Sequence, residues 1–199
     1  MKKITPFLFL VLSSLLLTAC GGTAIKDNNI NLNQTPPTQT LMPTSTVSPK
    51  LNSSTEPLVG LNTKDGQIVI KLYRQQAPNT IATFLNKVNS GFYNGLIFHR
   101  VIPGFMAQGG DPTGTGTGGG SQKSELNSLP FVRGSLGLAR TPVSKDISND
   151  SQFFICFTTE GCQHLTGDYV NFGEVVSGLD VLDKIQQGDK IVSVVTRTK

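Results

Sequence analysis

The chain has 199 residues, 37% hydrophobic and 15% charged, which is enough for one domain with a substantial core. Its net charge of +4 falls to +2, 15 basic against 13 acidic residues, once Lys2 and Lys3 at the extreme N-terminus are set aside. So weak and dispersed an excess excludes a nucleic-acid binder, while 21 Gly and 11 Pro argue for a mostly β chain of short strands and tight turns.

The first twenty residues, MKKITPFLFLVLSSLLLTAC, join a basic start to an apolar stretch from Ile4 to Leu17 and then small residues. That stretch is shorter than the roughly 20 residues a transmembrane helix needs, so residues 1–19 read as an export signal. Leu17-Thr18-Ala19-Cys20 resembles a bacterial lipobox, in which the cysteine is lipidated and becomes the mature N-terminus. An ordinary secretory signal with an incidental cysteine is the alternative. Several acyl chains on Cys20 would hold the protein at a membrane, which a single chain does only marginally. Gly21 follows where Asp often marks retention at the inner membrane, which points to the outer membrane if the cell has two. After Cys20, the segment to residue 57 is dominated by Asn, Thr, Ser, Gln and Pro, with almost nothing to bury. It reads as a disordered tether with an r.m.s. span of about 30–35 Å.

From Leu58 to the end, residue 199, the pattern is that of a folded domain. Leu58-Val59-Gly60-Leu61 and Gln67 to Tyr73 flank Lys64-Asp65-Gly66 and predict a hairpin around an Asp-Gly turn. Between Pro78 and Ser90, Ile81, Phe84, Leu85 and Val88 recur at helical spacing, with Pro opening the helix and Gly91 closing it. Leu96 to Ile102 predicts a strand that stops at Pro103-Gly104. Leu136–Ala139, Gln152–Phe157, Tyr169–Val175 and Lys190–Thr196 predict four more strands. Leu179, Leu182 and Ile185 predict a second short helix ending at Gly188. Many strands and two helices suggest a closed barrel with helices over its ends.

Several apparent sites fail on context. Gly114-x-Gly116-x-x-Gly119 fits a dinucleotide pattern by letters, but no strand feeds it and no helix clearly leaves it, so it reads as a surface loop. Gln122 precedes Lys123, so there is no phosphate-binding loop, and no Gly-x-Ser-x-Gly elbow exists. Cys162, His164 and the distant His99 lack the spacing of a zinc site, and no metal is expected. Cys156 and Cys162 are either disulfide partners outside the cytoplasm or, in the case of Cys156, a small core residue of an apolar strand.

Phe98 to Asp111 reads FHRVIPGFMAQGGD, where Arg100 and Gln108 sit among apolar residues beside a Pro-Gly turn. A buried guanidinium or amide without partners is costly, so the two need a purpose. Taken alone, Arg100 could merely form a surface ion pair. The stretch closely resembles the signature of the cyclophilin family of peptidyl-prolyl isomerases. Gly134-Ser135-Leu136-Gly137-Leu138-Ala139, Ser151-Gln152-Phe153-Phe154-Ile155 and Leu165-Thr166-Gly167-Asp168-Tyr169-Val170-Asn171-Phe172-Gly173 follow in the family's order. The resemblance spans about residues 58–199 and implies a closed eight-stranded antiparallel barrel capped by two helices. It also implies an isomerase that uses no cofactor or metal, acts on proline-containing polypeptides as a monomer and accelerates X-Pro rotation.

That rotation faces a barrier of roughly 18–20 kcal/mol from amide resonance, yet no bond breaks. A permanent cation that donates a hydrogen bond to the proline nitrogen would favour the twisted amide, and arginine stays protonated with a rigid fork. By resemblance Arg100 takes that role, and Gln108 binds substrate backbone and orients Arg100. Phe105, Met106, Phe154 and Leu165 grip the proline ring, while Ala139 and the backbone of Arg140 line the peptide groove. His164 and Tyr169 complete the substrate-binding set that the resemblance implies; His164 stands where many eukaryotic members carry Trp, and Tyr169 where they carry His. The first exchange implies weaker binding of cyclosporin. Exported or envelope proteins are the expected clients. The competing reading is a membrane-tethered module that holds proline-containing segments with little turnover.

Overall fold

A computed structural model describes residues 56–197; the signal peptide, Cys20 and the tether up to residue 55 lie outside the described residues. The first hairpin forms from β1 (Leu58–Thr63) and β2 (Gly66–Leu72). Thr63 pairs with Gly66, so the two-residue turn is Lys64-Asp65. Gly66 follows the turn at φ +137°, a conformation open to glycine, and the Asp-Gly pair straddles the turn's end rather than its centre. Helix α1 (Pro78–Asn89) carries the expected stripe, with Ile81, Phe84 and Val88 buried and Leu85 partly so. Pro78 opens it, and the carboxylate of Glu125 accepts from the N–H groups of Asn79 and Thr80 at 3.1 and 2.7 Å. A residue far along the chain therefore supplies the helix cap.

The remaining elements are β3 (Arg100–Ile102), β4 (Met106–Gly109), β5 (Ser121–Lys123), β6 (Ser135–Leu138), β7 (Ile147–Asn149), β8 (Phe153–Cys156), α2 (Thr159–Cys162), β9 (Asn171–Ser177), α3 (Leu179–Leu182) and β10 (Ser193–Arg197). Eight strands make one antiparallel sheet in the order β10-β1-β2-β9-β6-β8-β4-β3, and β5 pairs with β7 apart from it. Register shifts between Val69 and Ile70 and between Leu136 and Gly137 mark bulges, which bend strands and help the sheet curl.

The eight-stranded antiparallel architecture is as expected, but the barrel is not closed by pairing. Among the described residues no ladder joins β3 to β10. The gap is spanned by an isolated antiparallel bridge of Ile97 with Lys190, in which Phe98 donates to the Asp189 carbonyl at 2.9 Å and Ile191 to that of Leu96 at 2.7 Å. The strand expected from Leu96 to Ile102 is regular only from Arg100, with a single bridge at Ile97 before it. Its first half faces the irregular segment after Gly188, where φ is +91° and the chain turns. The second expected helix is likewise a single turn, α3, because Lys184 and Ile185 donate back only three residues, to Val181 and Leu182.

Two apolar clusters result. The larger holds Phe84, Tyr93, Phe98, Phe153 and Phe172 beneath α1, with rings meeting mostly edge to face. The smaller comprises Met106, Phe131, Phe154, Cys156, Cys162 and Leu165, with Phe105 and Tyr169 packed on it. Strand alternation separates them: in β8, Phe153 and Ile155 face the large core while Phe154 and Cys156 face the small one.

Candidate active site

Strand register assembles the site. Arg100 of β3 lies opposite Gln108 of β4, Gln108 opposite Phe154 of β8, and Phe154 opposite Gly137 of β6. One row across four neighbouring strands thus aligns a cation, an amide, an aromatic ring and a residue without a side chain. In the next row Ile102 faces Met106 and Met106 faces Cys156. Both rows project on the small-cluster side of the sheet. Phe154, 4% exposed, is held by the stacked ring of Phe131 at 5.5 Å and the edge of Tyr169 at 5.7 Å.

The opposite wall comes from the chain after β8. Thr158 caps α2 by accepting from Gly161 N–H at 3.0 Å, and its hydroxyl donates to the Gly104 carbonyl at 2.6 Å. That clamps the segment carrying Leu165 to the Pro103-Gly104 turn carrying Phe105. Cys156 and Cys162 are joined by a disulfide with Cα atoms 6.1 Å apart, which resolves the alternatives that the sequence leaves open. Both cysteines are fully buried in the small cluster, so the crosslink ties β8 to α2 directly under the site.

Between these walls lies a cavity of about 90 Å³ lined by Arg100, Phe105, Met106, Gln108, Ala139, Arg140, Phe154, Leu165 and Tyr169. Nine of the ten residues expected from the sequence therefore converge on one space. His164 is the exception: it is exposed, outside the lining, and lies against Phe105 with ring centroids 5.6 Å apart. His99 is elsewhere, beneath Gly116 of the glycine-rich loop, and Cys162 is in the disulfide, so these residues do not assemble a metal site. Burial pushes the His99 imidazole below its usual range; the Arg100 charge adds to this and Asp111 opposes it.

Arg100 Nη1 donates to Gln108 Oε1 at 3.3 Å, and Gln108 Nε2 donates to Gln152 Oε1 at 2.9 Å. Gln152 Nε2 in turn donates to the carbonyls of Gly116 and Gly118 at 3.2 and 2.8 Å. Gln152, 3% exposed, was assigned no role from sequence. Its signal was there, since an amide in an apolar strand-like run must find partners when buried.

The relay ends on the glycine-rich loop, which is organised by a second residue missed from sequence, Asp111. Its carboxylate is 1% exposed and accepts from Thr113 N–H and Oγ1 at 2.8 and 2.9 Å, and from the N–H groups of Gly116 and Gly118. Burial alone would raise its pKa; the donated hydrogen bonds outweigh that and lower it from 3.8 to about 2. A carboxyl depressed in the fold stabilises it above its unfolded pKa and loses that effect as pH falls through the folded value. The window here is between about pH 4 and pH 2, with a loss on the order of 1–2 kcal/mol. Urea titrations across that window should show Asp111→Asn losing less stability to acid than wild type. Equal acid sensitivity of the two would show that Asp111 does not anchor the loop.

Residues 58–198 match the family described as cyclophilin type peptidyl-prolyl cis-trans isomerase/CLD. A peptidyl-prolyl cis-trans isomerase of Helicobacter pylori (strain ATCC 700392 / 26695) is 45% identical over 141 residues, covering 68% of this chain and 83% of that protein. Peptidyl-prolyl cis-trans isomerase B of Bacillus subtilis (strain 168) is 43% identical over 129 residues, covering 63% and 88% of the two chains. Among solved structures, a Cryptosporidium parvum cyclophilin type peptidyl-prolyl cis-trans isomerase superposes with a TM-score of 0.67 at 32% identity, over 72% of this chain and 99% of that one. A further structure of that protein, determined in the presence of the dipeptide Ala-Pro, gives a TM-score of 0.65 at 32% identity, over 71% and 99% of the two chains.

Proposed function

Because the chain belongs to the cyclophilin-type peptidyl-prolyl cis-trans isomerases and so turns X-Pro bonds of proline-containing polypeptides, we propose that it serves exported and envelope proteins from a lipid anchor at Cys20, with Arg100 as the catalytic cation. The observation that supports the assignment of roles is the strand row that brings Arg100 and Gln108 to one cavity with Phe105, Met106, Phe154 and Leu165.

The chemistry follows from those neighbours. Phe105, Met106, Phe154 and Leu165 offer apolar surface to a pyrrolidine ring. With the ring held, rotation moves the atoms on the carbonyl side. As the amide leaves planarity, the proline nitrogen regains a lone pair, and an N–H of Arg100 donates to it. Gln108 Oε1 accepts from Arg100 and fixes its plane. Gln108 Nε2 spends one N–H on Gln152, and its second N–H is suited to a substrate carbonyl. Gln152 braces Gln108 against the loop that Asp111 organises, so the donor set is preorganised rather than recruited on binding. Ala139 and Arg140 border the groove along which the peptide runs, and Tyr169 closes one side.

The site of action rests on separate residues, Leu17-Thr18-Ala19-Cys20 and the tether after them. Fractionation and mass spectrometry test this directly. Wild type is expected in membranes with acyl chains on Cys20, and Cys20→Ser is expected to be released or to keep its signal peptide. Globomycin, which blocks the lipoprotein signal peptidase, should make the precursor accumulate. A wild-type protein that is soluble after export and carries no lipid would refute the anchor and leave the isomerase intact.

A further inference from the structure

Rotation of an X-Pro bond needs one cation at the proline nitrogen, yet the cavity is lined by two. Arg140 follows Ala139 just beyond the end of β6, and its side chain is fixed at the rim by three contacts. Nε donates to the Asp168 carbonyl at 2.9 Å, and Nη1 to the Thr141 carbonyl at 3.1 Å. The guanidinium lies over the Tyr169 ring, 4.4 Å from its centroid. No described residue takes either N–H of Nη2. The charged group is thus held in place while part of its donor fork stays open.

The surrounding charges do not cancel it. None of the nine lining residues is acidic. The nearby carboxylate of Asp168 is exposed and already paired with Lys145 at 3.3 Å. The rim around the proline pocket is therefore positive on balance, with Arg100 and Arg140 on one cavity and a neutral pair beside them.

We propose that Arg140 is a specificity-determining residue that favours clients with an acidic side chain within two residues of the X-Pro bond. A carboxylate suits the open fork, because guanidinium presents parallel N–H groups to two oxygens. A lysine at the same place would meet two arginines. The inference rests on the isomerase reading and concerns which polypeptides that activity prefers. A rim charge pair is modest and screened by salt. It therefore shifts relative rates without deciding whether a peptide is turned over.

The test uses matched X-Pro peptides with Glu or Lys at X, at the residue before X, or at either of the two residues after the proline. At low ionic strength, the wild-type kcat/KM for the Glu peptide should exceed that for the Lys peptide roughly three- to tenfold at one or more positions. The ratio should fall toward one in about 0.5 M salt. Arg140→Gln should bring it below twofold, and Arg140→Glu should invert it. Each ratio is taken within one enzyme, so any general loss of activity in a variant cancels. Should wild type turn over none of the peptides, the isomerase reading fails, and the ratio of Kd values from NMR titration of the same peptides still decides the role of Arg140. A ratio that stays within twofold at every position, or one that is the same in Arg140→Gln as in wild type, overturns the proposal.

Discussion

Arg100→Ala is expected to lower kcat/KM for an X-Pro peptide by about 10² to 10³ while leaving the fold intact. That factor is the loss of one preorganised donor, about 2.7–4 kcal/mol at the twisted amide. The fold should not suffer, because the Arg100 side chain is exposed and, among the described residues, hydrogen-bonds only Gln108. Circular dichroism and the melting midpoint should match wild type. Arg100→Lys should recover little: it keeps the charge but loses the rigid fork that meets Gln108 and the proline nitrogen together. An alanine variant as fast as wild type would remove Arg100 from the mechanism.

Gly137→Ala is expected to damage both stability and turnover, although it adds one methyl group at a position outside the cavity lining. Gly137 faces Phe154 in the register row. An added Cβ would stand 2.7 Å from Cε1 of Phe131 and 2.8 Å from Cε1 of Phe154, and closer still to Cζ of Phe154. Neither ring can move freely, since they stack on each other and Tyr169 closes against Phe154. Forcing such a methyl into a packed cluster costs about 1–3 kcal/mol. Displacing Phe154 by even an ångström moves the wall of the proline pocket, so kcat/KM should fall by about tenfold or more. Denaturant melts and peptide assays measure the two effects separately. An unchanged midpoint with full activity would show that the glycine is not needed to seat Phe154.

Gly137 also shows how far the sequence could be read. Its motif, Gly134 to Ala139, carried the family resemblance, but that Gly137 makes room for Phe154 depends on register, which spacing alone does not reveal. Elements with strong periodicity were legible: α1 from its stripe at three and four residues, and the first hairpin from its turn residues. The short strands β5 and β7 were not, since three-residue runs such as Ser121–Lys123 carry no period and pair only because the loops around them bring them together. That the expected barrel stays open between β3 and β10 was also out of reach, because the gap is crossed by backbone bonds from irregular segments at Leu96, Phe98, Asp189 and Ile191. Within the site, the apolar residues and Arg100 were readable as chemistry. Gln152, Asp111 and the Cys156–Cys162 crosslink belong to the support behind them. Gln152 reaches Gln108 from a segment 44 residues away, which spacing does not reveal. Asp111 bonds its own loop, whose folded shape the sequence does not specify. The crosslink was one of two alternatives that spacing left open.

Catalysis of X-Pro rotation at this site is tested most directly by NMR exchange spectroscopy on an Ala-Pro peptide with catalytic amounts of the wild-type protein. Uncatalysed interconversion takes tens to hundreds of seconds, too slow for exchange cross-peaks between cis and trans resonances. Strong cross-peaks are expected with wild type, largely abolished in Arg100→Ala. Peptide resonances that shift on binding while cis–trans exchange stays at the uncatalysed rate would contradict catalysis at this site and would make the protein a binder of proline segments rather than an isomerase.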